Sequence, residues 1–215
     1  MADDTQREIM ELTQDLKVLL QLQAESGATV VREESGTTES APLAPTGDDK
    51  PPSSYSNASG TVLFEDAARP RLVIVLSIAT GPEAMDDDAY AGPAGEMLEA
   101  MRSRVLHVAR DEALVARIKY SSPRPQHRDV LACGEAIRQR IADAQPAAVL
   151  CFGSGSARTL LGDTPESRTA VGRWLEVSGR PMLTTLHPDD LLTHPGDKRT
   201  ALTHLQWMHA KLSDG

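Results

Sequence analysis

The chain is short of cysteine, aromatics, long apolar runs and positive charge, and most of these shortages remove a class of protein. Cys133 and Cys151 are the two cysteines in 215 residues. Two cannot build a disulfide framework, and no Cys-x-x-Cys pair suggests zinc or a redox site. The apolar stretches stay as short as residues 147–152, whereas a membrane helix needs about 20 apolar residues. The N-terminus, Met-Ala-Asp-Asp, has neither a basic region nor an apolar core. No secretory signal is therefore expected, and the expected setting is cytoplasmic. Aromatics number only seven, which confines any stacking platform to a few positions. Lys and Arg total 22 against 31 Asp and Glu, for a net charge of -9. A chain of that charge should repel phosphate and argues, taken whole, against a nucleic-acid partner.

The charge is unevenly spread. Residues 1–66 hold four Lys/Arg against thirteen Asp/Glu, while residues 67–215 hold eighteen of each. Arg outnumbers Lys fifteen to three in that neutral body, and its forked guanidinium suits phosphate. The objection to DNA therefore lapses. Within the acidic third, Ile9, Leu12, Leu16 and Leu19 form a helical stripe over residues 7–22. Two heptads are too few for a lone coiled coil. The stripe points to docking on its own domain, self-association or a protein partner. Residues 26–65 turn to Ser, Thr, Gly, Pro and acid, which reads as a disordered linker. The expected division is a helix in 1–25, a linker in 26–65 and one domain in 66–215. A mobile acidic tail would compete for a DNA groove, and its removal should tighten binding at low salt.

The body alternates between two periodicities. Apolar runs at residues 71–77, 114–120, 147–152 and 181–186 read as strands; residues 92–104, 129–144, 157–161 and 198–212 read as helices. This pattern predicts an α/β fold, a three-layer αβα arrangement around a mostly parallel four-stranded sheet, with ligands at the carboxyl ends of the strands.

Those strand ends hold the candidates. Ser77-Ile-Ala-Thr-Gly81 leads into the acidic run Asp86-Asp-Asp88 and then Tyr90. Gly153-Ser-Gly-Ser156 opens a helix whose free amides and two hydroxyls suit a phosphate, although a plain connection reads the same way. His187-Pro-Asp-Asp190 follows the last strand, where a histidine serves equally as cap, core residue or catalyst. His204 and His209 are five apart, which does not make a metal pair, and read as surface.

In this order the motifs resemble the uracil-DNA glycosylase superfamily, nearest its bacterial and archaeal family 4 branch, over residues 71–212. Ser77-Ile-Ala-Thr-Gly81 stands where that family has Gly-Glu-Ala-Pro-Gly. Ala89-Tyr-Ala-Gly-Pro-Ala-Gly-Glu-Met-Leu98 matches its Pro-Phe-Val-Gly-Arg-Ala-Gly-x-Leu-Leu segment. Cys151-Phe-Gly-Ser-Gly-Ser-Ala-Arg-Thr-Leu-Leu-Gly162 follows its Leu-Gly-x-x-Ala-x-x-Leu-Leu-Gly block, and Gly172-Arg-Trp-Leu-Glu176 with Pro181-Met-Leu-Thr-Thr-Leu-His-Pro188 completes the set.

The resemblance implies DNA with a damaged base as partner, base excision repair as context and a nucleoid-associated cytoplasmic location. It implies His187 as the catalytic residue that stabilises charge on uracil O2. It implies Ser77, Ala79, Gly81, Tyr90 and Ala116 as substrate-binding residues, Tyr90 being the stacker. Ser154, Gly155, Ser156 and Pro188 fall to the DNA phosphate. Two positions depart. Ile78 replaces the acid that activates or places the attacking water, a role open to Glu83 or Asp86 to Asp88. Ala116 replaces the asparagine that reads the uracil edge. Family 4 holds a four-cysteine iron–sulfur cluster; here Cys133 matches one ligand, Tyr120 replaces another and the N-terminal pair is missing. No cluster, metal or other cofactor is expected. Two functions follow: a divergent glycosylase for uracil or another deaminated base, or a catalytically impaired DNA-binding or scaffold protein on the same fold.

Overall fold

The computed structural model describes residues 52–57, 60–67, 69–78, 92–122 and 125–214. Segment 7–22, Ala79, Gly81, Tyr90 and the acidic run lie outside them.

Three of the four central strands are buried along nearly their whole length. Leu72–Ile78 (β3), Ala113–Tyr120 (β4), Ala148–Phe152 (β5) and Arg180–Thr185 (β7) run parallel in the order β4-β3-β5-β7. Their continuous apolar runs reflect cover on both faces. Leu72, Ile74 and Leu76 point to one face, where they meet Met97, Leu98 and Met101 of Pro93–Ala100 (α1) and its following π turn. Leu205 and Met208 of Lys198–Ser213, the last helix, join them. Val73 and Val75 point the other way, to Cys133, Ile137 and Ile141 of His127–Ala144 (α2) and to Ala157 and Leu160 of Gly153–Leu161 (α3). Each such side chain contributes about 1.5–3 kcal/mol by leaving water. The three-layer αβα arrangement stands.

The sheet itself differs from expectation. It has seven strands and is mixed, not four and mostly parallel, because antiparallel strands extend both edges. Ser54–Ser56 (β1) and Gly60–Glu65 (β2) pair onto β4, and Trp174–Val177 (β6) pairs onto β7. The C-terminal part of the expected linker is therefore sheet, and the domain begins before residue 66. In β2, buried Gly60, Val62 and Phe64 alternate with partly exposed Thr61, Leu63 and Glu65. One apolar face suffices for an edge strand, so its composition resembles the linker before it. Arg140 of α2 lies over the Phe64 ring at 5.0 Å and pairs with Asp66, fastening the hairpin to the domain. The β6–β7 turn is Ser178-Gly179, both at positive φ (49° and 73°), the two-residue geometry that suits the twist of a hairpin.

Three short or closing helices complete the order: Pro165–Arg168 (α4), Pro188–Thr193 (α5) and the long Lys198–Ser213 (α6). Among the described residues no helix is long and apolar enough to cross a membrane.

Candidate active site

The carboxyl ends of the four parallel strands open onto one cavity of about 840 Å³. Strand β3 delivers Ser77 and Ile78, β4 delivers Tyr120, the β5–α3 junction delivers Gly153, Ser154 and Gly155, and the chain after β7 delivers His187. Ligands in open α/β sheets bind at this end.

His187 is the N-cap of α5, with Pro188 at its first position, where a missing N–H costs nothing. The ring is 9% exposed. Two groups of one residue face its Nδ1: the Asp189 main-chain N–H at 3.3 Å and the Asp189 Oδ2 at 3.3 Å. The amide requires a lone pair on Nδ1; the carboxylate requires a proton there. The hydrogen bond with His187 holds the Asp189 carboxyl below its ordinary value, against the opposing effect of burial. The other nitrogen, Nε2, is buried with no hydrogen-bond partner among the described residues. A buried, unpaired ring nitrogen on a cavity-lining residue costs free energy unless something arrives to pair with it.

The expected phosphate turn divides in two. Ser154 and Gly155 are exposed and line the cavity. Ser156 is fully buried and its hydroxyl donates to Phe152 O at 2.8 Å, so it does not face the cavity. The helix starts at Gly153, earlier than expected, and one turn of helix turns Ser156 inward. Pro188 is buried at the first position of α5 and lies outside the lining. Ser77 and Ile78 are half-buried in the wall, so the apolar residue expected in place of an acid does line the cavity. Ala116 does not. It is 0% exposed in the middle of β4, paired with Phe64 on one side and Val75 on the other. Residues 116, 118 and 120 share a face of the strand, and only Tyr120 lies far enough along to reach the cavity.

Several neighbours carry no motif that would have signalled them. Arg158 pairs with Asp163 at 3.0 Å on the cavity wall, and the bond from Arg168, then the charge of Arg158, bring the Asp163 carboxyl to about 2. His127 and Thr159 also line the wall. His204, expected at the surface, is 6% exposed and its Nδ1 lies 3.2 Å from Thr185 Oγ1. A five-residue spacing says nothing of burial when a helix packs on a sheet edge.

Tyr120 and Cys133, the two positions that the resemblance set against cluster ligands, are neighbours beside Gly60. Asn57 Nδ2 donates to Cys133 Sγ at 3.5 Å and to Asp129 O at 3.0 Å, while the Tyr120 hydroxyl is bonded to Thr159 Oγ1 at 2.9 Å. One thiol and a phenol do not fit a cluster that takes four thiolates. Among the described residues no group of three or more metal-ligating side chains occurs.

The family model described as the uracil DNA glycosylase superfamily matches residues 64–211. The chain belongs to that superfamily. Membership brings a DNA glycosylase-type function and a DNA substrate. The match begins at Phe64, inside β2, so the family domain takes in part of the edge hairpin. No curated protein sequence gives a significant match.

Proposed function

We propose that this superfamily member is a divergent monofunctional DNA glycosylase. It hydrolyses the N-glycosidic bond of uracil or another deaminated base in DNA, by base flipping and without an iron–sulfur cluster. The observation that carries this reading is the buried Nε2 of His187 on the cavity wall, which has no partner among the described residues. When the Asp189 amide donates to Nδ1, the ring proton sits on Nε2. Bond cleavage sends the C1′–N pair into the base, whose carbonyl oxygen gains charge, and Nε2–H donates to it. Water supplies its oxygen to C1′, and the proton it gives up ends on the departing base anion. A donor placed at developing charge contributes about 10²–10³ in rate. Ser154 and the Gly155 amide hold the phosphate beside the flipped nucleotide, and Tyr90 stacks on the base.

A second reading rests on Ile78, an apolar side chain in the cavity at the position of the family's acid. On that reading the protein binds DNA without cleaving it, since loss of a positioned acid or base costs about 10²–10⁴. Purified protein and its His187→Ala variant, tested on uracil, hypoxanthine and xanthine oligonucleotides, separate the two. Abasic product that falls with the variant supports the enzyme. No product on any substrate, with DNA affinity unchanged in the variant, rejects it.

A further inference from the structure

Tyr120 stands at a position where the related family 4 proteins carry a cluster cysteine, and here it forms part of the cavity wall. Its ring is seated by close packing. A Cβ on Gly60 would lie 3.1 Å from Cδ1 and 3.3 Å from Cε1 of Tyr120, so the edge strand approaches the ring only because residue 60 is glycine. Its hydroxyl is bonded to Thr159 Oγ1 at 2.9 Å. Thr159 is 1% exposed and spends its own proton on Gly155 O at 3.0 Å. The phenol, the stronger acid, is therefore the donor and Thr159 the acceptor. Burial raises the phenol above its ordinary range, so the proton stays in place. With that proton committed to Thr159, the Tyr120 oxygen has only lone pairs left for a ligand.

We infer that Tyr120 is the base-edge reader of this protein, an acceptor that selects bases carrying a ring N–H. The inference rests on the cavity receiving a flipped base. Deamination makes this chemical change: cytosine N3 and adenine N1 are bare acceptors, whereas uracil N3 and hypoxanthine N1 carry hydrogen. An acceptor fixed in the wall pairs with either deaminated base and leaves either parent base facing lone pair to lone pair. Tyr120 thus takes over from Ala116, four residues earlier on the same face of β4, whose side chain is short, apolar and out of reach.

The test uses the full chain and non-cleavable 2′-fluoro oligonucleotides containing uracil, 3-methyluracil or cytosine, with affinity read by fluorescence anisotropy. The wild type prefers uracil by about tenfold to a hundredfold, the range expected when a buried polar group is left unpaired. Tyr120→Phe keeps the ring and levels the three affinities. Thr159→Val removes the acceptor, frees the phenol proton toward the cavity and turns the preference toward cytosine. An unchanged uracil preference in Tyr120→Phe, or equal affinities in the wild type, overturns the inference. Cleavage is not measured, so the two proposals fail separately. Absent cleavage with an intact preference sinks only the enzyme, and cleavage with a preference unmoved by Tyr120→Phe sinks only the reader.

Discussion

The Asp189 carboxylate and the Asp189 main-chain amide sit at the same distance, 3.3 Å, from one nitrogen of His187. The carboxylate is ionised at neutral pH, and its contact with His187 lowers its proton affinity below that of an ordinary aspartate. A carboxyl depressed in the folded state stabilises fully above its unfolded value, and that contribution is lost as pH falls through the lowered one. The wild type and Asp189→Asn should therefore differ in melting temperature above about pH 4 and converge in stronger acid. A constant offset at every pH, measured by thermal denaturation, would show that the charge does not matter.

Ile78 presents an apolar side chain to the cavity, at the position where the resemblance expects an acid. Ile78→Glu should raise single-turnover cleavage of a uracil oligonucleotide by up to about 10²–10⁴. The variant's circular dichroism checks that the half-buried site tolerates the carboxylate. A folded variant no faster than wild type means that water is already activated by another group.

His204 is held neutral by burial, which lowers its proton affinity below that of a free imidazole. The unfolded chain binds a proton there at a higher pH than the folded one does. Stability should therefore fall as pH drops below about 6.5, with the loss continuing until the folded form also protonates. His204→Asn removes that slope at some cost in overall stability, since the ring fills the space against Gly172. Melting temperatures from about pH 5 to 7 report it, and an identical slope in both proteins counts against the idea.

Residues 1–51 carry eleven Asp/Glu and four Lys/Arg. Removing them should tighten DNA binding at low salt, and the gain should shrink as salt screens the charge. The cut belongs at 51 and not at 60, because Ser54–Ser56 and Gly60–Glu65 are strands of the sheet. Equal affinity with and without the segment, by anisotropy at low ionic strength, rejects the competition.

How much was legible follows from the range of each signal. The four parallel strands were read at nearly their true bounds, because burial on both faces demands continuous apolar runs such as Leu-Val-Ile-Val-Leu. The histidine after the last strand was legible for the same reason, since strand ends locate α/β sites. Strands β1, β2 and β6 escape the sequence reading, although Ser178-Gly179 between two strand-like segments is a hairpin signal. An edge strand buries one face, and its remaining residues look like loop.

The sequence by itself determined the family, the parallel centre of the sheet and the position of His187, all carried by local runs and ordered motifs. Only the tertiary structure decided which side chains meet the cavity. Ser154 faces it and Ser156 does not, because one turn of helix separates inside from outside. Tyr120 reaches it and Ala116 does not, because residues on one face of a strand lie about 7 Å apart for every two steps. Chain spacing names a face, and distance along the face is fixed by how far each strand runs past its neighbours.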